Sequence, residues 1–155
     1  MKKNILKSFT MLTLLVAVAL AGAVVSANAQ STSIKANIPF EFVVGDKTLP
    51  AGAYSVTTAN AAFDALRIQS ADGKNSAVRL SGPTEQKNKS RARMVFHRYG
   101  HNYFLAEVWN GETVGRQLAK SKQERAIERE LASIPSKSDL AQSTYETIVV
   151  VAAAR

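Results

Sequence analysis

The chain contains no cysteine. Disulfide staples, a cysteine nucleophile and a lipoprotein-type acyl anchor are therefore all excluded. A small domain without disulfides must be held together by packing alone. Histidine and tryptophan are also scarce, with two of the first and one of the second in 155 residues. No serine sits in a G-x-S-x-G elbow, and no cofactor box is present, so no cofactor is expected. Acids number 12 against 20 lysines and arginines.

The one long apolar run lies at the start. Lys2, Lys3 and Lys7 form a cationic head, Phe9 to Val25 is apolar apart from Thr10, Thr13 and Gly22, and Ser26-Ala27-Asn28-Ala29 follows. Small residues at Ala27 and Ala29 are the pattern a signal peptidase reads. The expectation is a helical signal peptide over residues 1–29 and one mature domain over 30–155, periplasmic or secreted. The run is slightly short for a spanning helix, which needs about 20 apolar residues, so an uncleaved anchor is the lesser alternative. No membrane span is expected after cleavage. The leader carries three lysines and no acid, so 20 basic residues less three leave 17 against 12 acids, a formal charge of +5. That charge is modest for a dedicated nucleic-acid binder, and export argues against nucleic acid as a physiological partner.

The remaining chain alternates with period two in several places, the mark of strands with one buried face. Ile34, Ala36, Ile38, Phe40, Phe42 and Val44 form one such series. Pro39 lacks an amide donor, which predicts an edge strand or a bend there. Ala53 to Thr58 follows as a strand, and the Leu66 and Val78 arms around Asp72-Gly73 and the Arg93–Tyr99 and Tyr103–Trp109 arms around Gly100 follow as hairpins. Gly82 to Ser90 reads as a loop because it is polar and holds Pro83. Ser121-Lys122-Gln123-Glu124 is a capping box that opens a helix over about 121–134. Ile127, Leu131 and Ile134 form its apolar stripe, with Glu124, Arg125, Glu128 and Arg129 on the other side, and Pro135 ends it. Residues 136–143 read as a linker. Thr147 to Val151 is a nearly uniform apolar run, which predicts a central strand buried on both faces. The fold class is mainly β: a small antiparallel β-barrel or β-sandwich of about six to eight strands with one α-helix. An outer-membrane barrel is disfavoured because the strands fall short of the 9–11 residues it needs and no aromatic girdles recur.

Several segments carry a resemblance: Ile38-Pro39-Phe40-Glu41-Phe42 with Gly45, Thr48-Leu49-Pro50-Ala51-Gly52 with Tyr54, Leu66-Arg67-Ile68 with Asp72-Gly73, and Val95-Phe96-His97-Arg98-Tyr99-Gly100 with Tyr103-Phe104-Leu105 and Trp109. Together they resemble a family of small exported proteins common in acidobacterial genomes, over most of residues 34–131. The resemblance implies an envelope or secreted location and a compact β domain, and it brings no activity with it.

Four places could hold chemistry. His97 and His101 are weak metal candidates, since Gly100 puts a turn between them and a site wants three or four ligands. Glu107 or His97 could serve a small secreted hydrolase in acid–base roles, because polar groups among aromatics can have shifted pKa values. Glu41 and Glu112 are the other acids on or beside strands, and Glu41 falls on a solvated alternate. Tyr103 and Trp109 could stack on sugars if exposed, whereas a lone tryptophan in a small β domain usually anchors its core. Lys87, Lys89, Arg91 and Arg93 recur every second residue, so an extended backbone would point all four one way. Such a row can hold a polyanion such as phosphate-bearing lipid headgroups or acidic polysaccharide, and it can equally be a solvated edge that discourages strand pairing. The leading expectation is a non-enzymatic exported domain that binds anionic envelope components through this row or docks a protein partner. A hydrolase and an assembly module that pairs strands through the Pro39 strand or Thr147–Val151 are the alternatives.

Overall fold

The computed structural model describes residues 33–60, 64–133 and 145–154. The expected signal peptide with Ala27 and Ala29, the helix-end residue Ile134 and the 136–143 linker lie outside the described residues. The order is β1 (Ile34–Ile38), β2 (Phe42–Val44), β3 (Lys47–Leu49), β4 (Gly52–Asn60), β5 (Ala65–Ser70), β6 (Ser76–Glu85), β7 (Arg93–Tyr99), β8 (Asn102–Trp109), β9 (Val114–Leu118), α1 (Lys122–Ser133), β10 (Glu146–Val151) and β11 (Ala153–Ala154). The mainly β class with one helix is as the sequence predicts. Eleven strands stand against the six to eight expected, because β2, β3 and β11 are fragments of two or three residues.

The hydrogen-bonded path runs β10-β7-β8-β9-β6-β5-β4-β1-β11. Its two ends are neighbours in sequence, separated only by Ala152. That terminal stretch pairs with β7 through Glu146–Val151 and then with β1 through Ala153 and Ala154. Strand β6 divides in the same way: Ser76–Leu80 pairs with β5 and Ser81–Glu85 with β9. The result is a sandwich-like fold whose two layers share a strand on each side. One parallel bridge, Val43 to Phe104, ties the β2–β3 hairpin to β8, and the other pairings are antiparallel.

Each departure from the sequence reading has a local cause. The long first series breaks into β1 and β2 at Pro39, which is the bend of the two options, since β1 is flanked by both β4 and β11 and is not an edge. Within β1 the burial alternates as the period-two pattern requires. Strand β6 continues through Pro83 where a loop was expected. Pro83 faces Arg116, and Gln86 N donates to Thr113 O at 2.9 Å. Alternation from that bond puts Pro83 where ladder amides point away from β9, so its missing N–H deprives no β9 carbonyl. The Thr147–Val151 run is not buried on both faces. Ile148 and Val150 lean on the core, while Val149 and Val151 are 52% and 64% exposed.

The core fills the space between the layers with Ile38, Phe42, Leu49, Ile68, Met94 and Phe96, all fully buried. Burying each such side chain contributes about 1.5–3 kcal/mol. Phe42 meets Tyr54 and Phe96 edge-on at 5.0 and 5.5 Å, and Phe40 stacks on Tyr103 at 4.0 Å. Tyr54 is anchored by its hydroxyl, which donates to Pro50 O at 2.8 Å. A second, smaller apolar group, Val43, Tyr99 and Phe104, lies on the opposite face of the β7–β8 layer with Ile127 and Tyr145 packed on it. The two-residue β7–β8 loop begins with Gly100 at φ +60°, the glycine-first arrangement that two-residue hairpins favour.

Gly115 is buried under the Trp109 ring, and a Cβ there would sit 2.5 Å from a ring carbon. Gly115→Ala should therefore destabilise the domain by about 1–3 kcal/mol in urea unfolding, since a packed site cannot absorb the extra carbon. Gly82→Ala is the control: its Cβ would meet nothing within 4 Å, and its midpoint should barely move.

Candidate functional site

The histidines do not form a pair. His97 lies in the middle of β7, with a side chain 12% exposed, while His101 is exposed in the β7–β8 turn. Among the described residues no three His, Asp or Glu side chains gather as a metal site would require. Glu107 is occupied structurally, because its Oε2 accepts the Trp109 Nε1–H at 2.7 Å. It faces Val95 across the ladder, whereas His97 faces Phe104. Trp109 is 3% exposed and has the Arg93 guanidinium 4.8 Å above its ring, so it anchors the fold and is not an open stacking platform. Tyr103 is half-buried against Phe40. Glu41 and Glu112 are exposed.

The basic row is not one-sided. The backbone bends at Lys87 and Asn88 and becomes a strand only at Arg93. Lys89 pairs with Glu112 at 2.5 Å, both well exposed, a contact worth at most about 1 kcal/mol. Arg93 turns back to Gln86 Oε1 at 2.8 Å, to Ser90 Oγ and to Trp109. Lys87 and Arg91 remain exposed to solvent.

The densest polar constellation among the described residues was not anticipated. Ser121 Oγ accepts the Glu124 N–H at 3.0 Å, which is the first half of the capping box. The Glu124 carboxylate is engaged on the sheet. Its Oε1 lies 2.8 Å from His97 Nδ1 and accepts from the Tyr99 hydroxyl at 3.4 Å, and the residue is only 3% exposed. One turn on, Glu128 accepts from the Tyr99 hydroxyl at 2.7 Å and from Lys120 Nζ. The Tyr145 ring covers His97, with centroids 3.9 Å apart, and Lys120 Nζ sits 5.4 Å from that same ring. The helix thus docks through Glu124, Ile127 and Glu128. Ile127 is half-buried there and Leu131 is 39% exposed, so the apolar stripe contributes less than the carboxylates. Spacing i, i+4 between Glu124 and Glu128 was the available signal.

The electrostatics follow from these contacts. Burial pushes the Tyr99 hydroxyl far above its usual value, reinforced by its bond to Glu128 and the charge of Glu124. Burial also tends to raise the Glu128 carboxyl, but the hydrogen bonds from Lys120 and Tyr99 outweigh it and hold the group below the ordinary range. Its bond to Glu128 raises Lys120. No buried side-chain N or O among the described residues lacks a partner. This satisfied Glu–His–Tyr network clasps the helix to the sheet.

A different place has room for a ligand. The outer surface of β1, β4 and β5 carries a groove of about 560 Å³. Lys35, Ser55 and Gln69 stand in register across the three strands, and Asn37 faces Ala53 beside them. The small side chains of Ala53 and Ser55, with Gly73 at one end, leave the space open. A hollow of about 250 Å³ continues from it over Asp72 and Asn75. Hydrogen bonds from Ser70 and the Lys74 amide keep the Asp72 carboxyl below its usual range, so it is ionised at neutral pH. The volume falls in the range of small-ligand sites, and its lining of amides, hydroxyls and one ammonium suits a hydroxylated ligand better than an apolar one.

Two substitutions separate the parts of the clasp. Ser121→Ala should cost about 1 kcal/mol through the lost cap. Tyr99→Phe should cost about 1–3 kcal/mol, because two buried carboxylate contacts lose their donor. Both are read by chemical denaturation. Tyr99→Phe should also delete one late-ionising component from the absorbance titration of the four tyrosines.

Compared with known proteins, the chain matches no protein-family model, no curated protein and no solved structure.

Proposed function

We propose that this chain is an exported, non-enzymatic binding domain whose ligand is an acidic glycan held in the β1–β4–β5 groove. The groove is the observation that carries the reading. Lys35 offers the one cation in its lining, and Asn37, Ser55 and Gln69 offer donors and acceptors spaced along strands, as a chain of hydroxyls requires. The acid–base groups favour binding over hydrolysis, since Glu107 is committed to Trp109 and His97 to Glu124. Export rests on the Lys2–Ala29 leader pattern and agrees with the location that the acidobacterial resemblance implies. Lys87 and Arg91 add exposed cations for longer anionic chains, which keeps the anionic envelope as the natural source of the ligand. An assembly role through the exposed Val149 and Val151 edge is the reading to adopt if ligands fail.

Thermal-shift measurements against acidic and neutral oligosaccharides, anionic lipid headgroups and metal ions decide among these. An acidic oligosaccharide at a hundred times its Kd should add about 2.7 kcal/mol of stability. Ala53→Trp, which fills the groove from an exposed position, should abolish that shift while leaving the unliganded Tm near its original value. Lys35→Gln should weaken acidic ligands and spare neutral ones. A shift that survives Ala53→Trp and disappears with Lys87→Glu/Arg91→Glu would move the site to the basic segment. A flat panel would favour assembly.

A further inference from the structure

We propose that helix α1 is an acid-released latch, clasped to the outer face of the β7–β8 layer by ionised carboxylates and freed from it when they are protonated. The geometry sets this helix apart from the rest of the fold. Its only buried residue is an acid, Glu124. Among the described residues, its apolar support is half-buried Ile127, over Val43, Tyr99 and Phe104. An isolated helix of 12 residues is marginal in water, so docking must supply its stability.

The groups that face the clasp come from every side. Helix α1 presents Glu124 and Glu128. Strand β7 presents His97 and Tyr99. Lys120 enters from the segment before the helix and Tyr145 from the segment before β10. Strands β2 and β8 contribute only apolar Val43 and Phe104. The two glutamates are the only acids among these groups. Once Glu128 is neutral, Lys120 is left without its counter-charge, and the charge-assisted hydrogen bonds of the clasp become ordinary ones.

The sign of the pH effect follows from Glu128. Its folded pKa lies below the ordinary value, so its contribution is present above the unfolded pKa of about 4.3 and is lost as pH falls through the folded pKa. Each proton taken up on release lowers the docking constant by about tenfold per pH unit. The layer beneath includes the exposed Arg98–Glu146 pair and the Glu107–Trp109 hydrogen bond, but it is held chiefly by main-chain pairing and apolar burial, which do not titrate. Strand β7 stays paired to β8 and β10, and Met94 and Phe96 are fully buried on its other face. Acid should therefore free α1 and uncover Val43, Tyr99 and Phe104 while the sandwich persists.

Hydrogen exchange of the protein between pH 7 and 3, corrected for intrinsic rates, tests this. The expected result is that amides of residues 122–133 lose protection as pH falls below about 4.3, by up to about tenfold per unit for each carboxylate that takes up a proton, while β7–β8 amides keep theirs. Glu124→Gln/Glu128→Gln should lose that pH dependence. Lys120→Met should move release to higher pH, because it removes a hydrogen bond that holds Glu128 low. The proposal is overturned if α1 and β7–β8 lose protection together, if α1 stays protected to pH 3, or if the release pH is unchanged in Lys120→Met.

Discussion

Strand β6 and the β10–β11 stretch each hydrogen-bond in both layers, and that double membership is the constraint on which the fold depends. A chain without cysteine cannot tie one layer to the other covalently. Here the ties are main-chain ladders that begin in one layer and finish in the other. Because β10 and β11 are divided only by Ala152, whose amide donates to Ala92 O at 2.8 Å, the turn from one layer to the other takes a single residue. The space enclosed is then small enough to be filled by Phe42, Phe96, Phe40 and Tyr54 in edge contact.

This arrangement leaves each layer an outer face, and the two faces have different fates. The β1–β4–β5 face is polar and open, with small residues at the centre of its groove. The β7–β8 face is partly apolar, since Val43, Phe104 and Tyr99 lie there, and it is covered by α1. The cover is held by charge more than by area. Tyr99 serves both purposes, with its ring in the small apolar group and its hydroxyl between Glu124 and Glu128. The proposed groove and the proposed latch therefore lie on different outer faces and can be altered independently.

Much of the fold was legible in local chemistry. Alternation marked β1 and β5, aromatic and aliphatic content marked β7 and β8, and Asp72-Gly73 and Tyr99-Gly100 marked turns. Ser121 marked the start of α1, where it caps Glu124 N. The readings of burial that failed inferred it from residue type alone. The valines near the C-terminus looked central, yet Val149 and Val151 face outward because no element among the described residues packs over them. Glu124 looked solvated, yet it is buried because His97 and Tyr99, some 25 residues earlier, offer it partners. The Lys87–Arg93 row assumed an extended backbone, and a bend together with Glu112, Gln86 and Trp109 redistributed its charges.

What the amino-acid sequence determined by itself is the set of properties that depend on near neighbours: strand periodicity, turn positions, the helix cap and the absence of cross-links. Each is governed by backbone sterics or by hydrogen bonds within a few residues. The tertiary structure alone decided which strands are shared between layers, where the groove opens and which acids are buried. Those outcomes depend on contacts between residues 14 to 48 positions apart, such as Ser55 with Gln69, His97 with Glu124 and Arg98 with Glu146. A side chain's partner at that separation is set by strand order and register, which no short window of sequence encodes.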